Sequence, residues 1–264
     1  MYEFNVHKPG AVNDAVSALQ SADDGKFLAG GQTLIPTLKQ RLASPSDVVD
    51  LGGVAELKGI SDEGGALKIG AMTTHAEVAA SDTVQSQIPA LAALASHIGD
   101  AQVRNRGTIG GSIANADPAA DYPAAIVGLN ATVHTNQRTI AADNFFTGMF
   151  ETALNDDELI TAVSFPKPSK ASYQKFPNPA SRYAIVGVMV AETGGQTRVA
   201  VTGAAPSVFR LSDAESALSG NFSADSLGSL AVSASNLNSD IHASADYRAH
   251  LVGVMAKRAV NAAS

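Results

Sequence analysis

Apolar residues at Val12, Ala15, Val16 and Leu19, three to four positions apart after the Lys8-Pro9-Gly10 turn, predict a helix with one buried face. Residues 26–29 read as a short strand stopped by Gly30-Gly31, so the chain opens on an α/β unit. A second helix is expected to carry Leu34, Leu38 and Leu42, with Pro36 tolerable in its first turn, and 48–51 to form a strand before Gly52-Gly53. Further along, the pattern predicts strands at 67–72, 131–135 and 159–165 and helices at 74–81 and 88–98, without a clean repeat.

The pattern changes at 166–179, which holds Pro166, Pro168, Pro177 and Pro179 and few apolar residues, and reads as a linker. Beyond it, 183–191 and 197–203 form an expected strand pair turning at Gly194-Gly195. Three helices should follow: one from Ser212, with Glu215 in capping-box spacing, one over 224–235 and one over 245–263. A short antiparallel sheet packed on helices is the simple reading of this second part.

A chain of 264 residues fits one elaborate or two modest domains. The net charge of -7 argues against nucleic acid or an anionic membrane as partner, because neutralising phosphates takes clustered basic residues. There is no cysteine, which excludes disulfides and any iron-sulfur cluster held by thiolates of this chain. The opening MYEFNVHKPG lacks the basic and apolar regions of a secretory signal, and no apolar run approaches the ~18 residues that would span a bilayer, so a cytoplasmic protein is expected.

Two glycine-rich segments carry the candidate chemistry: Ala29, Gly30, Gly31, Gln32, Thr33 and Leu34, and then Thr108, Ile109, Gly110, Gly111 and Ser112. Glycine lets a ligand approach the backbone, and successive N–H groups supply the partial positive charge that a diphosphate needs. Either segment alone also reads as an ordinary tight turn. Asp117 and Asp121 follow the second segment, where a carboxylate would accept from ribose or ribityl hydroxyls, or would only cap turns beside Pro118 and Pro123. Arg104 and Arg106 would neutralise phosphate or pair with acids. Rossmann, P-loop, zincin and nucleophile-elbow signatures are missing, and the six histidines, His75 among them, are too dispersed to suggest a metal site.

The string IGDAQVRNRGTIGGSIANADPAAD, ending at Asp121, and the upstream AGGQTL resemble the two flavin-binding motifs of the medium subunits of molybdenum hydroxylases, of the aerobic carbon monoxide dehydrogenase type. GAMTTHAEV from Gly70, Phe145-Phe146-Thr147-Gly148, Glu158-Leu159-Ile160 and Ser181-Arg182-Tyr183 extend the resemblance over almost the whole chain. Gln32 and Ser112 depart from the commoner residues of the family without removing a glycine.

The resemblance implies an α+β protein: a two-part FAD-binding region of the vanillyl-alcohol-oxidase-like (PCMH) type over 1–166, with subdomains of about 1–55 and 56–166, then a small α+β domain of antiparallel sheet and helices over 167–264. It implies that residues 29–34 and 108–112 contact the FAD diphosphate, largely through backbone N–H groups. It places Asp121 at a flavin-contacting acidic position and Ile160, Tyr183 and, less directly, Lys175 near the isoalloxazine. The expected role is electron transfer from iron-sulfur clusters of a small subunit, fed by a molybdopterin-containing large subunit, to an external acceptor, in a dimer of heterotrimers. No side chain is then a general acid or base for the substrate, and the protein's work is to position and tune the flavin. A stand-alone FAD-binding module and a self-contained flavin oxidoreductase are the alternatives.

Overall fold

A computed structural model describes residues 1–263 and organises them around three larger sheets. Asn5–His7, Asp47–Asp50 and Gly25–Leu28 form a parallel three-stranded sheet with Asp47–Asp50 in the middle. The helix Val12–Gln20 covers it, burying Val12, Ala15 and Leu19 as the spacing predicts. The second sheet is five-stranded and antiparallel, in the order Ile60–Asp62, Ala66–Gly70, Ile160–Pro166, Thr132–Thr135, Thr139–Ala141. The third joins Lys170–Pro177, Ala184–Thr193, Gln196–Thr202 and Phe209–Arg210, all antiparallel. Mixed helix and antiparallel sheet is the α+β class expected.

The expected linker is a correction. Only 167–169 separate the second and third sheets, and Lys170–Pro177 is a strand, paired along its length with Ala184–Thr193. Its polar Ser172, Gln174 and Lys175 hide the strand from a hydropathy pattern. Pro177 is tolerated because the strand lies at the sheet edge and its register shifts there, so no ladder donor is lost.

The Gly194-Gly195 turn takes φ of +58° and +80°, the left-handed pair that a two-residue hairpin requires. The helix expected over 224–235 shrinks to a 3-10 turn, Ala224–Leu227. Ser226 donates instead to the Asn221 carbonyl and Ser233 pairs with Ser235, side-chain bonds that compete with a helical ladder. Ser212 is no cap either; the helix Ser212–Gly220 begins after Leu211, and Glu215 accepts from Val199 N–H and from Arg210. Leu42 falls outside the second helix, which ends at Lys39, and is 74 % exposed.

The third sheet does not stand apart. Ala171, Tyr173, Met189 and Ala191 pack into the same apolar cluster as Leu67, Ile69, Leu91 and Phe165. On its other face the long helix Ala245–Ala262 buries Leu251, Val252, Met255 and Ala259. Buried Arg248 of that helix donates to the carbonyls of Ile185 (2.7 Å) and Gly203 (2.9 Å) and pairs with Asp240, fixing the start of one strand and the end of its neighbour. Among the described residues no helix is long and apolar enough to cross a membrane.

Candidate cofactor site

The two glycine segments meet. Gly30 lies so close to the second segment that a Cβ there would overlap the Arg106 carbonyl and sit 2.8 Å from the Gly107 Cα. Gly110 is packed on Ala71, where a Cβ would be 2.6 Å from that residue's own Cβ. These contacts are backbone against backbone or a short side chain, so they exclude anything larger than glycine. Together the segments wall a cavity of about 720 Å³, within the usual range for small-molecule and cofactor sites.

The hydrogen-bond inventory separates the two segments. None of the backbone N–H groups of Gly30, Gly31, Gln32, Thr33 and Leu34 has an acceptor among the described residues. Five successive residues of the cavity wall are thus left with backbone donors that have no protein partner. In the second segment most N–H groups are already committed: Ile109 to the Thr73 carbonyl, Gly110 to that of Ala71, Gly111 to Thr108 Oγ1 and Ser112 to the Thr108 carbonyl. Only Thr108 keeps a free N–H there. For the expected contact of 108–112 with a diphosphate this leaves one backbone N–H, that of Thr108, beside the Thr108 and Ser112 hydroxyls. Within the two segments Ile109 alone does not line the cavity, its side chain being fully buried in the core, and Lys175, expected less directly near the isoalloxazine, does not line it either.

The loop after the second segment is held from the third sheet. Gly203 and Ala184 donate their N–H groups to the carbonyls of Pro118 and Ala119, and Thr202 Oγ1 donates to those of Pro118 and Ala120. Asp117 caps a turn, accepting from Ala119 N–H at 2.9 Å. Asp121 is different: it lines the cavity, is 4 % exposed, accepts from the Tyr173 hydroxyl and pairs with Lys175 Nζ at 2.9 Å. Burial pushes the Asp121 carboxyl up, and the Lys175 ammonium opposes it. Burial beside Asp121 likewise drives the Tyr173 phenol well up, so it stays a donor.

Ile160 and Tyr183 line the same cavity, Ile160 buried at the start of its strand and Tyr183 half exposed at its mouth beside Arg182. Burial and the neighbouring Asp117 and Asp121 push the Tyr183 phenol up. Arg104 neither faces the cavity nor meets an acid; it donates to the carbonyls of Ile98 and Gly99. Arg106 is exposed, without an ion pair among the described residues.

Sequence reading missed two wall residues. His75 is 4 % exposed, against Gly107, and burial with Arg104 nearby pulls its imidazole down to about 4, so it is neutral at neutral pH. Its only sequence signal was a place in the GAMTTHAEV string. Glu158 is the other: Arg138 and Thr135 donate to its carboxylate, as does the Asn155 N–H, and Arg138 first among them holds it down at about 2. This knot fixes the entry to Ile160.

A carboxyl whose pKa folding lowers from 4.5 to about 2 stabilises the fold fully above 4.5 and loses that contribution as pH falls through about 2. Wild type should therefore exceed Glu158→Gln by on the order of 2 kcal/mol at neutral pH, allowing for the half-exposed Arg138. In urea unfolding across pH the gap should close below pH 4.5. A gap that persists unchanged at acid pH would refute the assignment.

Family comparisons agree over the full length. The model for the FAD binding domain in molybdopterin dehydrogenase matches residues 2–168, and that for the CO dehydrogenase flavoprotein C-terminal domain matches 171–263. The chain is 36 % identical to the nicotine 6-hydroxylase medium subunit of Paenarthrobacter nicotinovorans, covering 96 % of this chain and 94 % of that one. It is also 36 % identical to the carbon monoxide dehydrogenase medium chain of Hydrogenophaga pseudoflava, over 98 % and 96 %. The reconstituted CO dehydrogenase from Oligotropha carboxidovorans superposes with a TM-score of 0.91 at 34 % identity, over 98 % of this chain and 96 % of that one. A row of unpartnered N–H groups, two interlocked glycine segments and this match along both parts establish that the chain belongs to the FAD-binding medium subunits of the molybdenum hydroxylases.

Proposed function

We propose that this chain, within a cytoplasmic complex, passes electrons from the iron-sulfur clusters of a small subunit to an external acceptor, alongside a molybdopterin-bearing large subunit in a dimer of heterotrimers. The observation that carries the reading is the five-amide row of 30–34 opening on a cavity that the second glycine segment closes. The lack of cysteine supports the division of labour, since thiolate-held clusters must then belong to another chain.

Bound FAD supplies a redox centre that exchanges electrons one or two at a time. The chain's own groups position it. Gly30 to Leu34 and the Thr108 N–H offer donors to a diphosphate, with the Gln32, Thr33, Thr108 and Ser112 side chains beside them. Gly110 and Gly111 keep the opposite wall low. Ile160 offers an apolar face and Tyr183 a phenol at the mouth, where each would contact the isoalloxazine. Asp121, tied by Tyr173 and Lys175, keeps further acceptor capacity for a ligand hydroxyl or imide N–H. We also infer a division at 166/167. Residues 1–166, as subdomains of about 1–55 and 56–166, form the FAD-binding unit, and 167–264 complete its wall; the grouping of strands into separate sheets supports this.

The test is co-expression with a small iron-sulfur subunit and a large molybdopterin subunit of this family. Flavin absorbance should co-elute with the assembly, whose mass should equal two heterotrimers, and reduction of the clusters should bleach the flavin. A flavin-loaded assembly whose flavin stays oxidised beside reduced clusters would overturn the electron-transfer reading.

A further inference from the structure

The His75 ring has no hydrogen-bond partner among the described residues. It opens the helix His75–Ala80, whose capping box is made by Thr74 and Glu77, so its backbone is held whatever its ring does. The residue is 4 % exposed, and its ring lies tilted against that of Tyr122, with centroids 5.3 Å apart and planes inclined at 48°. Nδ1 is sealed from solvent with no hydrogen-bond partner, and the neighbouring Tyr122 hydroxyl is likewise sealed and unpartnered. The Nε2 edge rests on Gly107, near enough that a Cβ there would be 2.5 Å away. His75, Gly107 and Thr108 all line the cavity.

A buried N–H without an acceptor is rarer and more costly than a buried acceptor without a donor. Of the two neutral tautomers, the one that leaves Nδ1 bare and puts the proton on Nε2 is therefore favoured, which directs the donor toward the cavity wall at Gly107. The free Thr108 N–H lies on the next residue, and Gly30, first of the unpartnered row, packs against Gly107 from the other segment. Donors from three chain segments thus converge around one glycine.

We propose that His75 donates from Nε2 to an acceptor oxygen of the bound FAD at the Gly107–Thr108 end of the diphosphate cradle, and so is a cofactor-positioning residue. The proposal rests on FAD as the cofactor and not on the route of the electrons.

Two measurements on the full chain, alone and assembled with its partners, test it. In histidine-labelled wild type, FAD should shift the His75 ring nitrogen signals and slow exchange of the Nε2 proton; an unmoved His75 spectrum in FAD-saturated protein overturns the proposal. In parallel, His75→Phe fills the space without a donor, and His75→Gln restores an N–H. Phe should weaken FAD binding about tenfold, the scale of one hydrogen bond, and Gln should stay within about threefold of wild type. Equal affinity in all three proteins, or equal loss in both variants, overturns it, the second outcome assigning the ring to packing alone. Wild type that takes up no FAD in either form overturns it with the cofactor assignment. A flavin that binds but is not reduced through the partner defeats only the electron-transfer reading.

Discussion

Gly30→Ala should abolish stable FAD retention while Gly10→Ala, outside the cavity wall, leaves it intact. The added methyl would lie 2.7 Å from the Arg106 carbonyl carbon and 2.8 Å from the Gly107 Cα, and both are backbone atoms that no rotamer change can move. At Gly10 nothing lies within 4 Å. The segments must part, which separates the free amides of 30–34 from the Thr108 N–H. We expect a loss of affinity of at least ~100-fold, about 2.7 kcal/mol, with an overpacking cost to the fold of about 1–3 kcal/mol. Flavin absorbance after gel filtration and urea unfolding read the two effects separately. A Gly30→Ala protein that keeps its flavin would show that the segments need not touch.

Lys175→Met should be the most destabilising single change at the junction of the sheets, at about 3–5 kcal/mol, because it leaves the Asp121 carboxylate buried with only the Tyr173 hydroxyl beside it. Adding Asp121→Asn should recover most of the loss, since the amide oxygen still accepts from Tyr173 and no charge remains. The defect should also shrink at acid pH. A buried carboxyl raised by desolvation destabilises the fold when ionised, so stability returns as pH falls through its folded value. A double variant as unstable as Lys175→Met at every pH would sink this account. Flavin affinity should fall with the single change, because Asp121 lies in the cavity wall.

Much of the local structure was legible along the chain. Helix spacing marked Val12, Ala15 and Leu19 as a buried face, and the diglycine at 194–195 marked a hairpin, because both are dictated by short-range geometry. The glycine segments and their order identified the family, since close backbone approach admits no other residue at Gly30 or Gly110. The composition settled that thiolate chemistry is absent from this chain.

Which amides are free could not be read there. Both segments look equally fit for an anion, yet Thr73 and Ala71 consume the donors of Ile109 and Gly110, and nothing comparable reaches 30–34. Asp121 and Lys175 lie 54 positions apart and meet only because the edge strand Lys170–Pro177 packs across the first part's core, the strand that polar residues and proline disguised as a linker. His75 became a wall residue for the same reason: Gly107, 32 positions away by the numbering, bridges to Thr74–His75 through one short antiparallel contact. Short-range pattern determines elements and turns, because its period is the backbone's own. The allocation of each donor and charge was decided by long-range packing, which brings together residues whose separation in sequence carries no periodic signal.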